Sequence, residues 1–390
     1  MDFRTRYQKL KATSRAFRLK RDFETRKTVA AIDALADRAD MLQRGCVPGN
    51  VVPGSSYDCP PGIEPEAMMQ KAEGYLDALC NRVFPLSGCF AEPGCTFVDH
   101  SFIQKDGVLH VFYIRGSIGF DWSEKPHDTF GHAWTTDLIH WEYSQPILSV
   151  TADSCYESFQ IWAPAVLEHN GKYWMFYTGV NTAIAQSVCA AVSDDLYHWE
   201  KVNSNPLYTP GSWCPWDVSK WSNCRDNFVF RDDDGTFYLY FCTDRYTANG
   251  EVEPASGILR STDLLHWEDV GTFRMPSCLH AAESPFVIKR NGLYYFFYTS
   301  YGIGTCYAIS DNPVSNWKEI GVLMGVKQTP EDPAWVPSCA EIFEFRGKWY
   351  ISCCRRQPGW EQYLELFELT WKADGTVWIS PNHIDSPITL

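Results

Sequence analysis

Five segments of the chain repeat one pattern of apolar and polar positions: a short apolar run, a turn with glycine at its end, and an aromatic-rich run. The copies begin at Val98, Ala163, Arg225, Glu283 and Cys339. Their turn glycines are Gly107, Gly171, Gly235, Gly292 and Gly347, which follow one another at intervals of 55 to 64 residues. Two apolar runs joined by a glycine turn predict a β-hairpin, and this repeat length is typical of four-stranded sheets arranged around an axis. The pattern predicts an all-β fold, a five-bladed β-propeller.

A second repeat, Ser/Thr-x-Asp-Leu-x-His-Trp, lies out of phase with the first. It occurs at Thr135, Ser193 and Ser261, and a looser copy begins at Ser310. The aspartate can accept hydrogen bonds from the backbone of a tight turn, and the tryptophan can pack between neighbouring sheets. We therefore interpret the histidines and tryptophans of this repeat as structural.

A helical period replaces the strand pattern before the first copy. Val29, Ile32, Leu35 and Leu42 recur on one helical face, and Gly45 is a suitable stop for that helix. Residues 46–63 are rich in Pro, Gly and Ser and predict a loop, whereas residues 65–79 predict another helix. We expect residues 1–90 to form a small helical N-terminal extension and residues 91–390 to form the propeller with any catalytic site.

Charge is divided unevenly along the chain. Residues 1–45 hold 12 Lys and Arg against 6 Asp and Glu, whereas the whole chain carries a net charge of −14 at pH 7. An acidic body repels phosphate backbones, so we expect no nucleic-acid partner. We also expect no membrane partner and a cytoplasmic location, because the chain shows neither a long apolar stretch nor an apolar signal core. The helical extension is expected either to cap the propeller or to pair two chains as a homodimer.

Candidate chemistry lies where the inner strands begin, because these strand ends converge around the axis of a propeller. Alignment on the turn glycines places five positions together: Asp99, Trp162, Asp226, Glu283, and Ser338 or Cys339. Three of them are carboxylates from different blades. A buried carboxylate is costly unless it is paired or used, so this convergence predicts a catalytic set.

Hydrolysis of a glycosidic bond needs such a set. One carboxylic acid protonates the departing oxygen, and one carboxylate acts as nucleophile or as base for a water molecule. A third carboxylate can hold sugar hydroxyls and raise the pKa of a neighbour. The distance between the carboxyl groups decides whether the anomer is retained, and sequence spacing does not give that distance. The stereochemistry therefore stays open.

Three motifs resemble glycoside hydrolase family 32, the β-fructofuranosidases. The stretch FGHAWTTDLIHWE from Phe130 resembles the GHA-x-S-x-DL-x-HW segment of that family. Cys224–Phe230 resembles its Arg-Asp-Pro segment, Ala282–Pro285 resembles its Glu-Cys-Pro segment, and Val98–Ile103 stands where the family carries its nucleophile. The same blade positions are acidic in the wider superfamily of five-bladed furanosidases, which includes families 43, 62, 68 and 117. Family 43 also usually carries an acid where this chain has Ala165.

The resemblance implies a role for each matching residue. Asp99 would be the nucleophile, or the base as in the inverting families, and Glu283 would be the acid. Arg225 and Asp226 would grip ring hydroxyls and stabilise the transition state. The implied reaction is hydrolysis of a terminal furanoside, a β-fructoside first, with an α-L-arabinofuranoside or an anhydrogalactoside as rivals. A sugar-binding propeller without activity and a mannoside phosphorylase like those of family 130 are the alternatives from other classes.

Other side chains are candidates for binding the substrate. Trp162 is the preferred sugar platform among the tryptophans near the strand starts, which also include Trp213, Trp216 and Trp221. His100 and His280 could contact hydroxyl groups or modulate the acid, or could be structural. Arg225 is expected to be a sugar ligand, with a structural ion pair as the alternative. The 15 cysteines show no zinc-ligand spacing, so we expect reduced thiols and no metal or cofactor. An axial metal ion, as in some members of the superfamily, stays open.

Overall fold

The computed structural model describes residues 2–17, 23–44, 64–80, 89–90, 92, 95–117, 127–278, 280–325, 327–329, 332–356, 362–384 and 388. The predicted helix stop at Gly45 and the predicted loop over residues 46–63 lie outside these residues. The chain divides into two units. One comprises Met1–Pro85, Ala91–Thr96 and Ser117–Phe120, and the other comprises Leu86–Phe90, Phe97–Gly116 and Asp121–Leu390.

The described residues of the first unit form three helices: α1 (Phe3–Phe17), α2 (Phe23–Gln43) and α3 (Pro65–Cys80). Val29 and Ile32 of α2 are buried against Met69 of α3, as the helical face predicted. Arg6 of α1 pairs with Glu66 and Glu73 of α3 at 2.7 Å each. The predicted helical extension is confirmed, and none of the described helices is both long and apolar enough to cross a membrane. Dimerisation through these helices stays a prediction.

The second unit contains five antiparallel sheets, the blades of the propeller. After the short strand β1 (Cys89–Phe90), blade 1 has β2 (Cys95–Lys105), β3 (Val108–Ser117), β4 (Thr129–Thr135), β5 (Trp141–Tyr143) and β6 (Leu148–Ser149). Blade 2 has β7 (Gln160–His169), β8 (Lys172–Val180), β9 (Gln186–Ser193) and β10 (Glu200–Lys201). Blade 3 has β11 (Cys224–Arg231), β12 (Phe237–Tyr246), β13 (Val252–Ser261) and β14 (Glu268–Phe273). Blade 4 has β15 (Glu283–Arg290), β16 (Leu293–Ser300), β17 (Gly304–Ser310) and β18 (Lys318–Gly325). Blade 5 has β19 (Lys327–Thr329), β20 (Asp332–Ser338), β21 (Ile342–Phe345), β22 (Lys348–Arg356), β23 (Gln362–Trp371) and β24 (Val377–His383). The five-bladed prediction is confirmed.

Strand β1 pairs with a strand of the last blade of the propeller. Cys89 pairs with Glu365 and Phe90 pairs with Leu364, so an N-terminal strand adds to the last blade. Such pairing occupies backbone groups that would otherwise form an open sheet edge. The boundary predicted at residue 90 differs from this arrangement, because it assigned β1 to the helical extension. A two-residue strand carries too little alternation to be recognised in the sequence.

Four of the five inner hairpins use a two-residue turn with positive φ at both positions. These turns are Asp106–Gly107, Asn170–Gly171, Asn291–Gly292 and Arg346–Gly347. Positive φ at both central residues matches the right-handed twist of the flanking strands. Blade 3 differs, because its turn is longer and is closed by a bond from the N–H of Asp232 to the carbonyl of Thr236.

The second repeat forms the turn that its aspartate predicted. In blade 2, Oδ1 of Asp195 accepts the N–H groups of Tyr197 and His198, each at 2.8 Å. Trp199 of the same motif packs edge-on against Phe112 of blade 1, with ring centres 5.4 Å apart. Asp137 and Asp263 make the equivalent backbone bonds in blades 1 and 3. The structural interpretation of this repeat is confirmed.

Candidate active site

The inner strands are interrupted where they reach the axis. The left-handed residues at these breaks are Ala163 (φ 47°), Asp226 (φ 59°), Ser284 (φ 48°) and Cys339 (φ 55°). In blades 2, 3 and 4 the strand register shifts directly around them. A non-glycine residue in this region is uncommon and clusters at functional sites. These four residues line one cavity.

The breaks correct the alignment made from the turn glycines. Asp226 is structurally equivalent to Ser284, whereas Arg225 is equivalent to Glu283. The glycine alignment is therefore wrong by one residue in blade 3, because the turn of that blade is longer than the others. The three predicted carboxylates nevertheless come together, as the following contacts describe.

Ser284 joins the carboxylates of blades 1 and 3. Its hydroxyl donates a 2.6 Å hydrogen bond to Oδ1 of Asp99, and its N–H donates a 3.0 Å bond to Oδ2 of Asp226. Removal from solvent raises the pKa of Asp99, and the charge of Glu283 raises it further. Burial and the charge of Asp99 raise the pKa of Asp226 to about 7. The two aspartates thus share a low-dielectric site that favours holding a proton.

Arg225 connects these aspartates with Glu283. Its Nη2 lies 2.8 Å from Oε1 of Glu283, and its Nε lies 3.9 Å from Oδ2 of Asp226. Nη1 donates a 2.6 Å bond to Oδ1 of Asn223. The side chain of Glu283 is 32% exposed, against 7% for Asp226. Arg225 is therefore an ion-pair partner in this structure, and Glu283 is more exposed than Asp226.

A cavity at the strand breaks is lined by all five inner strands. Its walls include Asp99, His100, Ala163, Asp226, Ser284, Cys339 and Glu341. Glu341 is a buried carboxyl that the sequence analysis missed. It stands two residues after the break in blade 5, where blades 2, 3 and 4 carry Ala165, Phe228 and Phe286. An acid in a column of apolar residues is a signal that the repeat alignment could have shown.

Glu341 is held from the side of blade 1. Its Oε2 accepts a 2.9 Å hydrogen bond from the N–H of Phe102, and the residue is 8% exposed. Burial raises the pKa of Glu341 to about 8, and the charge of Asp99 contributes in the same direction. The site therefore contains a fourth carboxyl group, which favours its protonated form at neutral pH.

Two predicted binding residues have structural contacts instead. Trp162 is 6% exposed within the apolar core between blades 1 and 2, and its indole N–H donates to Oε1 of Gln160 at 2.7 Å. The prediction of Trp162 as an exposed platform is wrong for this reason. His100 lines the cavity, but Nε2 lies 2.7 Å from Oγ of Ser352 and Nδ1 lies 3.3 Å from Sγ of Cys354. Burial lowers the pKa of His100 to about 3, so the neutral ring joins blade 1 to blade 5.

The other aromatic candidates separate by exposure. His280 is exposed and meets Tyr301 edge-on, and its contact with substrate stays a prediction. Trp213 and Trp216 are partly buried against the core between blades 2 and 3. Trp221 is 58% exposed, and its indole N–H donates to Oδ1 of Asn223 at 3.0 Å. Asn223, which the sequence analysis did not single out, thus links an exposed indole to Arg225.

Within the described ranges, no three His, Cys, Asp or Glu side chains are grouped in a way that could hold a metal ion. The cavity instead brings together carboxyl groups, Ser284 and the thiol of Cys339. The chemistry of this donor set is that of acids and bases acting on a bound molecule.

Comparisons with known proteins agree with this geometry. The sequence model of glycosyl hydrolases family 43 matches residues 128–377. A "Xylosidase/arabinosidase" from Bacteroides ovatus is 28% identical over 262 residues, which cover 58% of this chain and 75% of that protein. The "Acid beta-fructofuranosidase 1, vacuolar" of a Rosa hybrid cultivar is 36% identical over 110 residues, which cover 27% of this chain and 18% of that protein.

A solved structure shows the same fold. The crystal structure of a thermostable family-43 glycoside hydrolase aligns with a TM-score of 0.60 at 18% identity, covering 76% of this chain and 96% of that one. At this identity the likeness concerns the fold. The fructofuranosidase match, in contrast, is confined to a short segment, so the chain spans about a fifth of the length of that relative.

Proposed function

The chain belongs to glycosyl hydrolases family 43, and we propose that it hydrolyses the bond to a terminal α-L-arabinofuranosyl residue of an oligosaccharide. The family places the chain among the glycoside hydrolases. The name of the Bacteroides ovatus relative supports an arabinoside over the β-fructoside that the motifs suggested first. The observation that carries the proposal is the single network that joins Asp99, Asp226 and Glu283 through Ser284 and Arg225.

Each carboxylate has a role that its surroundings support. Glu283 is the general acid, because its side chain is 32% exposed and can reach the oxygen of a leaving group that faces solvent. Asp99 acts from the floor of the site as base or nucleophile, positioned by the hydroxyl of Ser284. Asp226 holds sugar hydroxyls and stabilises the positive charge that develops on the ring.

Arg225 brings substrate binding next to the general acid. Its Nη2 donates a 2.8 Å hydrogen bond to Oε1 of Glu283. A sugar hydroxyl that accepts a hydrogen bond from this guanidinium therefore lies beside the carboxyl group that acts on the departing oxygen. Binding through that hydroxyl positions the scissile bond at Glu283, which discriminates against molecules without the hydroxyl.

A β-fructoside is the second candidate substrate. The 110-residue segment shared with the rose fructofuranosidase has higher identity than the longer match to the Bacteroides protein. The adjacent Arg225 and Asp226 also resemble the Arg-Asp-Pro segment of fructofuranosidases. Both candidates are furanosides, so the two differ in the substituents of a five-membered ring.

A panel of substrates tests the proposal. Release of sugar is measured from α-1,5-arabinobiose, xylobiose and sucrose with the wild type, Asp99→Asn and Glu283→Gln. Glu268→Gln serves as the control, because that carboxylate is 70% exposed on β14. We expect turnover of arabinobiose, a loss of at least about a thousandfold in both site variants, and no change in the control. Sucrose as the only substrate would favour the second candidate. Binding without turnover of any substrate would contradict both and favour a sugar-binding propeller.

A further inference from the structure

The segment that leads into β11 exposes large apolar side chains beside the site. Trp221 is 58% exposed and Val218 is 54% exposed. Single exposed apolar residues are normal on a protein surface, so exposure alone carries no inference. What distinguishes Trp221 is its connection to the catalytic network.

Alternation along the strand places three side chains on one side. In extended backbone, residues two apart point the same way, which groups Trp221, Asn223 and Arg225. The extended form of this segment is supported by the bridge that Ser222 makes with Ala185. The indole of Trp221 is therefore on the same side as the guanidinium that contacts Glu283.

A chain of three hydrogen bonds connects the indole to the acid. Trp221 Nε1 donates to Asn223 Oδ1 at 3.0 Å, and Arg225 Nη1 donates to the same oxygen at 2.6 Å. Arg225 Nη2 then contacts Glu283 Oε1 at 2.8 Å. Asn223 is itself fixed, because its Nδ2 donates to Oδ2 of Asp244 at 2.6 Å. Three bonds of about 3 Å each keep the indole within roughly 11 Å of Glu283.

The loop that carries Trp221 is held in place before any ligand binds. Oγ of Ser222 accepts the N–H of Asp217 and donates to its carbonyl, both at 2.9 Å. Asn181 donates to the carbonyl of Val218 at 3.0 Å. An aromatic side chain that is already ordered loses little entropy when a ligand stacks on it. The exposed indole is thus a preformed surface.

We propose that Trp221 is the binding platform for the sugar ring on the leaving-group side of the scissile bond. The inference rests on the proposed function and deepens it. The sugar ring whose glycosidic bond is cleaved lies over Asp99 and Asp226. Glu283 protonates the glycosidic oxygen, which departs with the leaving group. The leaving group therefore lies next to Glu283, and the hydrogen bonds through Asn223 and Arg225 keep the indole of Trp221 near that carboxyl group. The apolar face of a sugar ring matches the face of an indole, so the substrate class is an oligosaccharide with a pyranose or furanose ring at that position.

The test compares two substrates that differ only in the leaving group. Hydrolysis of α-1,5-arabinobiose, which has a ring on the leaving side, is measured against methyl α-L-arabinofuranoside, which has none. We expect Trp221→Ala to lower kcat/KM about tenfold more for arabinobiose than for the methyl glycoside, with the difference mainly in KM. Trp221→Phe keeps a ring and is expected to retain most of the arabinobiose activity. The matched control is Trp378→Ala, because Trp378 is 47% exposed on β24 of blade 5.

A binding measurement separates failure of this inference from failure of the proposed function. Arabinobiose is titrated calorimetrically into Asp99→Asn and into Asp99→Asn combined with Trp221→Ala. About tenfold weaker binding in the double variant supports the platform even if the wild type turns over neither substrate. Equal affinities, or equal losses on both substrates, overturn it. Loss of a dimer in Trp221→Ala, measured as a lower mass in solution, would also overturn it. The indole of Trp221 would then lie in an interface between two copies of the chain.

Discussion

The hydroxyl of Ser284 donates a 2.6 Å hydrogen bond to Oδ1 of Asp99, which joins residues 185 positions apart in the sequence. The bond favours the ionised form of Asp99 against the burial that raises its pKa. It also fixes the direction in which the carboxylate faces. Ser284 is therefore a positioning residue that acts through Asp99.

Replacement of Ser284 by alanine is expected to lower kcat by about 10- to 100-fold, since a hydrogen bond to a charged group contributes about 1.5 to 3 kcal/mol. Without the hydroxyl the pKa of Asp99 rises, so the acidic limb of the kcat/KM profile moves to higher pH. Ser284→Cys keeps a weak donor and should lose less activity. An unshifted acidic limb in Ser284→Ala would show that the hydroxyl does not act through Asp99.

Replacement of Arg225 by lysine should lower kcat/KM at least about a hundredfold. The guanidinium bonds Asn223 through Nη1 and Glu283 through Nη2, whereas a lysine presents a single nitrogen and lacks this planar, spread set of donors. Steady-state kinetics on the substrate of the wild type measures the loss. Arg245→Lys is the matched control, because Arg245 lies in the same blade and pairs with Glu253 at 2.7 Å away from the carboxylate network. Equal effects of the two substitutions would contradict the role assigned to Arg225.

Glu341 makes the stability of the protein depend on pH. Its folded pKa of about 8 lies above the ordinary value of 4.5, so the folded state holds a proton that the unfolded state releases. The contribution of Glu341 to the free energy of unfolding is therefore fully present below pH 4.5 and is lost as the pH rises through 8. Glu341→Gln keeps an acceptor for the N–H of Phe102 and removes the titration.

Urea unfolding at pH 5 and pH 8 measures this dependence. The free energy of unfolding of Glu341→Gln, taken relative to that of the wild type, is expected to increase by roughly 3 kcal/mol from pH 5 to pH 8. Asp194→Asn is the control, since that carboxylate is 79% exposed. A variant that follows the wild type at both pH values would show that Glu341 is ionised in the folded protein.

Gly131 is required for packing within blade 1. It pairs directly with Tyr113, and a Cβ at this position would lie 2.3 Å from Cζ of that ring. Gly131→Ala should therefore destabilise the protein by about 1 to 3 kcal/mol through overpacking. Thermal unfolding measures the loss. Gly211→Ala is expected to have little effect, because a Cβ there would lie 3.7 Å from its nearest neighbour, Cδ1 of Trp213, which is an ordinary van der Waals distance.

The sequence predicted the blades because period-two alternation and glycine turns are local properties of the chain. It also predicted that Asp99, Asp226 and Glu283 lie close together, because the strand starts of a propeller must converge. The strand breaks could not be predicted, since Ala163, Asp226, Ser284 and Cys339 adopt positive φ without the glycine that usually marks it. The burial of Trp162 and the link from Trp221 to Asn223 depend on how neighbouring blades and loops pack. No spacing along the chain reports such contacts.

The role of Glu283 as general acid is tested most directly by the leaving-group dependence of Glu283→Gln. A methanol leaving group needs a proton, whereas 2,4-dinitrophenolate departs without one. The rates of wild type and variant are compared on methyl and 2,4-dinitrophenyl α-L-arabinofuranoside. We expect a loss of at least about a thousandfold on the methyl glycoside and of less than about tenfold on the dinitrophenyl glycoside. Equal losses on both substrates, or no loss on either, would contradict the assignment of Glu283 and with it the catalytic network described above.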